Sequence, residues 1–362
     1  MNILHTEWSD GWGGQEHRIV TEMVGMAGRG HRVTLATRPQ AIIGKKARAA
    51  GIPVLELPFR HKLDLRSIRA LVRFIRQEGV QVVNTHSGVD SWVGGLAARW
   101  ARVGLVRTRH LNLPLHPSWH NFIHYLPQRI VACGEVMRRD LIARDGFPPE
   151  KVVSIPTGVD FGKFVPSRPR QEMRQTLQVP ERAFLVLMVG VVRRIKRHEV
   201  ALEAFAKFHR SHPNSLFLIV GDGPRLDDIK ALARASGLAS QVRFLGYRAD
   251  IPDLMGAADC LLLTSASEGV PQAVTQALGC GLPVVATAVG GVPELVRDGE
   301  TGLLVAPENS EATAAALGRI ADDPSLAQHL AVGGKRHAHG YFSLEAMLDG
   351  TEAMYCGLTD QP

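Results

Sequence analysis

The stretch "FLVLMVG", Phe184 to Gly190, is apolar at nearly every position, and a basic turn and a helical pattern follow it. A strand with one wet face would alternate. A continuous apolar run is expected of a strand covered on both faces. Similar runs recur downstream as "LFLIVGDG" (216–223), "VRFLG" (242–246), "DCLLLTS" (259–265), "PVVAT" (283–287) and "GLLVAP" (302–307), each trailed by a helical pattern. The N-terminal half reads the same way, with "RVTLAT" (32–37), "VQVVNT" (80–85), "GLVRTRH" (104–110) and "RIVAC" (129–133) as strands. Helix-length segments such as Leu65 to Gln77 and Trp92 to Arg102 lie between them. This alternation predicts parallel sheets with crossover helices. Pro and Gly in "SIPTGVDFGKFVPSRP" (154–169) break the periodicity and mark a linker. The expected architecture is α/β, with two doubly wound, Rossmann-like domains over residues 1–165 and 166–340. A last helical segment, 341–362, is expected to pack back towards the N-terminal domain. Ligands of such folds sit at the carboxyl ends of strands, and pockets favour domain interfaces. The cleft between the halves is therefore the expected site.

The composition agrees with this division. The chain has 362 residues, 45% hydrophobic and 21% charged, as in a soluble globular protein with room for two cores. Its longest apolar runs, such as "AFLVLMVGVV" and "CLLLTSA", fall short of the ~20 residues a membrane span needs. "MNILHTEWSD" lacks the basic start and apolar core of a signal peptide. Cys133, Cys260, Cys280 and Cys356 are scattered and form no CxxC pair, so a reduced, cytoplasmic protein is expected. The net charge of +7 is uneven: residues 1–165 hold 23 Lys/Arg against 13 Asp/Glu, a balance of +10, and residues 166–362 hold 19 against 22, a balance of −3. The basic half favours an anionic surface or substrate, or is simply a solvated basic face. No nucleic-acid partner is expected.

Three loops carry candidate chemistry. In "EGVPQAVTQ" (268–276), Glu268 and Gly269 turn after a strand, and Pro271 suits a first helical position. The amides around Gln272, Ala273 and Val274 then form an anion site, while Glu268 can accept hydrogen bonds from sugar hydroxyls. Gln276, about one turn inside, can reach another hydroxyl pair. An acid placed favourably near a helix dipole explains the same residues without a ligand. "GVVRRIKRH" (190–198) sets Arg193 and Lys196 at a helix mouth, where cations are unfavourable and a diphosphate would compensate them. The alternative is a solvated basic turn. "WSDGWGGQEHRI" (8–19) offers Gly13 and Gly14 for close backbone approach to an anion, or makes a plain tight turn. "VGDGP" (220–224) lacks the third glycine of a dinucleotide fingerprint, which disfavours an oxidoreductase.

Taken in order, these pieces resemble the retaining glycosyltransferases of family 4, which have two Rossmann-like domains in the GT-B fold. The resemblance runs through "GWGGQEHRI", "GHRVTLAT", "VRTRH", "IPTGVDFGKF", "VGVVRRIKRHEVALEAF", "VGDGP", "FLGYRADIPDLMGAADCLLLTSASEG" and "GLPVVATAVGGVPELVRDGETGLLVAP". It implies a nucleotide-sugar donor, UDP-sugar being the commonest, bound as substrate with no resident cofactor. It implies that Glu268 addresses the donor hexose and that position 276 addresses the ribose. The family's second acid is Gln276 here, a weaker acceptor by ~1 kcal/mol. Arg193 and Lys196 match the diphosphate clamp, although the family's Arg more often stands where this chain has Val191. Gly14 matches the glycine near the diphosphate, and His110 the active-site histidine. The implied mechanism is front-face transfer to a glycan or glycolipid acceptor, in lipopolysaccharide or other bacterial surface-glycan synthesis.

Breaking the anomeric bond places negative charge on the leaving diphosphate, which fixed cations and amides would stabilise. The chain has no Asp-x-Asp, so metal is not expected in that role. His116, His120 and His124 stand at i, i+4 spacing, but no carboxylate or Cys completes a metal set. With Trp119, Phe122 and Tyr125 they read as acceptor-side lining or ordinary packing. Arg66, Arg69, Arg73 and Arg76 share one face of a helix whose other face carries Leu65, Ile68, Leu71, Val72 and Ile75. That is an amphipathic surface helix or a contact for an anionic membrane. Two other readings of the whole chain stand beside transfer: a sugar-nucleotide 2-epimerase of similar architecture, and a sugar-nucleotide-binding protein without turnover.

Overall fold

The computed structural model describes residues 1–115 and 119–359. The chain forms two compact units, one comprising Met1–Gly158 with the segment from Leu344 onward, the other Val159–Ser343.

Unit 1 runs β1 Asn2–Glu7, α1 Gly14–Gly28, β2 Arg32–Thr37, α2 Ile42–Ala49, β3 Val54–Glu56, α3 Leu65–Glu78, β4 Val82–Thr85, α4 Gly88–Ala101, β5 Gly104–Arg109, β6 Arg129–Ala132, α5 Glu135–Ala143 and β7 Val152–Ser154. The strands pair in the order β3-β2-β1-β4-β5-β6-β7, all parallel. Unit 2 runs α6 Arg170–Thr176, β8 Phe184–Val189, α7 His198–Ser211, β9 Ser215–Val220, α8 Leu226–Ala235, β10 Val242–Gly246, α9 Ile251–Ala257, β11 Cys260–Leu263, α10 Gln272–Gly279, β12 Val284–Thr287, α11 Val292–Leu295, β13 Leu303–Val305, α12 Ser310–Asp322 and α13 Pro324–Tyr341. Its order is β10-β9-β8-β11-β12-β13, again all parallel. Both sheets are doubly wound.

The continuous apolar strands have the expected cause. Along β8, Leu185 and Leu187 enter one core while Val186 and Met188 enter another, so both faces are dry. The short edge strands β3 and β7 carry too few residues to show a pattern. The segment read as a linker is partly structured: Ser154 ends β7, Ile155 is buried in unit 1, and Val159 and Phe161 are buried in unit 2. Helix α4 starts at Gly88 rather than Trp92, because Ser87 and Asp90 cap it. The Ser87 amide donates to Asp90 Oδ1 at 2.9 Å. On α3 the apolar stripe holds except at Leu65, which is 57% exposed in the first turn.

The last helix, α14 Leu344–Thr359, belongs to unit 1. Tyr355 is fully buried; its hydroxyl donates to Glu22 Oε1 at 3.0 Å and accepts from Asn84 Nδ2 at 2.8 Å. Leu348 lies so close to α1 that a Cβ on Gly25 would come within 2.5 Å of it. Arg29 pairs with Asp349 at 2.6 Å and Glu352 at 2.7 Å on the rim.

Candidate functional site

In unit 2, β8 and β11 are neighbours, and the strand order reverses between them. The loops leaving their carboxyl ends, 190–197 and 264–271, are thereby brought together at a switch point. Thr264 ties them, its hydroxyl donating to the carbonyls of Lys196 at 3.1 Å and Arg197 at 2.9 Å. The Ala266 amide adds a bond to the Ile195 carbonyl at 2.8 Å.

Lys196 Nζ then lies 2.6 Å from Glu268 Oε1, and the Ser265 hydroxyl donates to the same oxygen at 2.5 Å. Among the described residues no side chain donates to Glu268 Oε2, which leaves that oxygen free to accept. The lysine ammonium has three donors, and this pair uses one. Arg193 is exposed, with no carboxylate within 4.0 Å among the described residues. The compensation sought for the two cations is therefore split: Lys196 finds it in Glu268, and Arg193 finds none.

Pro271 is the N-cap of α10, one position earlier than expected. The amides of Val274 and Thr275 donate to the Pro271 carbonyl at 3.1 and 3.2 Å. Val274 is thus not a free donor, and only the amides of Gln272 and Ala273 remain at the helix mouth. Gly269 is exposed, and Gln276 is half-buried one turn in. Gly290, at φ +51°, backs this loop, and a Cβ there would fall 1.9 Å from the Glu268 carbonyl oxygen.

In unit 1 the switch point lies between β1 and β4. Gly13 and Gly14 are exposed at the start of α1, and the Gly13 amide donates to Glu16 Oε2 at 2.8 Å, leaving Gly14 next to the helix mouth. Glu7 accepts from the Ser9 amide at 2.6 Å, the Ser87 hydroxyl at 2.7 Å and Gln15 Nε2 at 2.6 Å. Burial, and then the nearby Asp90 carboxylate, raise the Glu7 carboxyl to about 7.

His110 ends a line of three imidazoles. His5 Nδ1 lies 2.9 Å from His86 Nε2, and His86 Nδ1 lies 3.1 Å from His110 Nε2. Burial, above all, lowers all three, so the rings are neutral. Two directions of proton order satisfy such a line. One leaves a bare acceptor at the unpartnered His5 Nε2, and the other leaves a buried orphan donor there. Orphan donors are the rarer in folded proteins, which favours Nδ1–H on each ring.

Sequence reasoning placed His110 but passed over His5, His86, Glu7, Asp90 and Arg107. The available signal was positional, since each stands near the carboxyl end of β1, β4 or β5, or in the first turn after it. His116 lies outside the described residues, and of Trp119 and His120 only the backbone is described. Among the described residues no group of three or more His, Cys, Asp or Glu is placed to hold a metal ion. No helix among them is long and apolar enough to cross a membrane.

Residues 12–163 match the sequence profile of Glycosyltransferase Family 4, and residues 169–337 that of Glycosyl transferases group 1. A D-inositol 3-phosphate glycosyltransferase of Actinosynnema mirum is 34% identical over 287 residues, 72% of this chain and 68% of the relative. The UDP-Gal:alpha-D-GlcNAc-diphosphoundecaprenol alpha-1,3-galactosyltransferase of Escherichia coli is 29% identical over 295 residues, 77% of this chain and 76% of that one. A crystal structure of Anabaena HepE in complex with UDP superposes with a TM-score of 0.88 at 24% identity, covering 99% of this chain and 100% of the other. With two doubly wound parallel sheets and both halves matched, the chain belongs to the family 4, group 1 glycosyltransferases of the GT-B fold.

Proposed function

We propose that this glycosyltransferase is a metal-independent, retaining hexosyltransferase that takes a UDP-sugar and delivers its hexose to a glycan or glycolipid acceptor. The observation that carries this reading is the Lys196–Glu268 pair at the unit 2 switch point, with one Glu268 oxygen unused and Arg193 unpaired beside it. In this reading Glu268 Oε2 accepts from a hexose hydroxyl. Lys196, Arg193 and the amides of Gln272 and Ala273 take up the charge developing on the diphosphate. Gln276, whose carboxamide bonds no protein group among the described residues, accepts from the ribose. Gly269 lets the turn pass close to the sugar. In unit 1, Gly14 offers its amide to a phosphate, since that of Gly13 is held by Glu16, and His110 bonds the donor sugar or positions the acceptor.

The Escherichia coli relative is named for a lipid-linked acceptor, and residues 1–165 carry the +10 balance. Surface-glycan synthesis at the cytoplasmic face, lipopolysaccharide included, fits both. Contact with an anionic membrane would come from α3, whose Arg66, Arg69, Arg73 and Arg76 are all exposed. A thermal-shift panel of UDP-, GDP- and ADP-sugars in EDTA, followed by NMR of the product's anomeric configuration, tests the reading. Stabilisation by a UDP-sugar and a retained anomer are expected. An inverted product, a strict metal requirement, or donor binding without transfer to any acceptor overturns it.

A further inference from the structure

Arg107 is a buried cation without a counter-ion. It lies in β5, 6% exposed, on the same sheet face as Arg109 two residues on. Among the described residues no carboxylate comes within 4.0 Å of it, and its Nε has no partner. One Nη contacts His124 Nδ1, a ring that burial and then Arg107 and Arg109 push down to about 3 and keep neutral. The acid that acts on Arg107 across space, Asp90, spends its oxygens on the Thr6 hydroxyl and the His86 and Ser87 amides. A guanidinium does not escape burial by losing its proton at neutral pH. An unpaired buried charge costs several kcal/mol, and natural cores seldom hold one without a use for it.

Arg107 and Arg109 both line a cavity of about 320 Å³ within unit 1, together with Gln15, His86, Ser87 and His110. Arg109 is held in place, its Nη2 donating to the carbonyls of Leu111 at 3.2 Å and Leu113 at 2.6 Å. The wall thus combines two guanidinium groups, neutral imidazoles, a hydroxyl and a carboxamide with the apolar Leu111, Leu113, Pro114 and Leu115, and among the described residues no acid lines it. Guanidinium forks match the geometry of phosphate oxygens and bind them by paired, charge-assisted hydrogen bonds. The volume exceeds what a phosphate alone would fill, so part of a sugar can enter with it.

We propose that this cavity binds a phosphate group carried by the acceptor, with Arg107 as its principal cation. This rests on the reading above, in which unit 1 serves the acceptor and the donor's diphosphate has Lys196 and Arg193. The test is calorimetric titration of methyl phosphate into the full chain held in excess UDP, comparing wild type, Arg107→Lys and Arg107→Met. A parallel titration uses acetate, and UDP affinity is measured separately for each protein. Wild type should bind methyl phosphate, Arg107→Lys should retain part of that affinity, and Arg107→Met should lose at least about 10-fold, a change of about 1.4 kcal/mol. Arg107→Met should also melt no lower than wild type, since it removes an uncompensated buried charge. Equal methyl phosphate affinity in wild type and Arg107→Met, or no binding by wild type, overturns the proposal. Acetate binding as tight as methyl phosphate overturns the choice of phosphate. Wild type that binds methyl phosphate through Arg107 but does not bind UDP leaves this site standing and removes the donor reading instead.

Discussion

Lys196 Nζ and Glu268 Oε1 lie 2.6 Å apart across 72 residues of sequence, with side chains 21% and 11% exposed. The pair is more sheltered than a surface ion pair and is braced by Ser265 on one side and Thr264 on the other. It presets the loop after β8 against the loop after β11. Preset charges stabilise a leaving group without reorganising as it departs.

Removing either partner should therefore matter twice. Lys196→Ala is expected to lower sugar transfer at least ~10-fold, from one lost charged contact. In a double-mutant cycle with Glu268→Gln, urea unfolding should show a coupling of about 1 kcal/mol. Strictly additive effects would mean that the pair is not an energetic unit.

Gln276→Glu should keep transfer or tighten the donor, because a carboxylate is the stronger acceptor for a hydroxyl. Calorimetry with the UDP-sugar reads this directly. Abolished donor binding would show that position 276 faces something other than a hydroxyl.

Gly290→Ala should destabilise unit 2 by about 2 kcal/mol or more, since it combines a left-handed backbone with a Cβ 1.9 Å from the Glu268 carbonyl oxygen. Relief requires the Glu268 loop to move, so donor affinity should fall along with the melting temperature. An unchanged melting temperature would contradict the close approach.

The buried titratable groups predict a pH profile. His5, His86, His110, His124 and His198 are all held below the ordinary imidazole value of 6.5 by burial, His198 at about 4. Their contribution to stability is fully present above 6.5 and is lost as pH falls. Glu7 runs the other way: raised from 4.5 to about 7, its contribution is present below 4.5 and lost as pH rises towards 7. Asp90, also raised by burial, runs with Glu7; several imidazoles outweigh the two carboxyls, so the melting temperature should climb from pH 4.5 to 6.5. Glu7→Gln should gain on wild type over the same interval up to pH 7. A difference between the two proteins that stays flat with pH would place the Glu7 titration elsewhere.

Arg66, Arg69, Arg73 and Arg76 have no carboxylate within 4.0 Å among the described residues, and α3 buries Ile68, Leu71, Val72 and Ile75 on its other side. Co-sedimentation with vesicles should show binding to anionic but not neutral lipid at low salt, reduced when two of the arginines become Gln. Equal binding to both lipids would end the membrane reading.

The two α/β domains were legible in the sequence because a strand covered on both faces must be apolar along its length, as Phe184 to Gly190 is. The position of Lys196 and Glu268 was legible too: each stands just past a strand's carboxyl end, where parallel sheets gather their ligands. Sheet order was not legible. Which strand lies beside which is set by long-range packing, and no local pattern records it. Only the adjacency of β8 and β11 makes Lys196 and Glu268 partners, and only the order β1-β4-β5 lines up His5, His86 and His110. Arg107 makes the same point through burial. In sequence it is one basic residue among many; its charge gains meaning only when the fold takes it out of water with no carboxylate within 4.0 Å among the described residues.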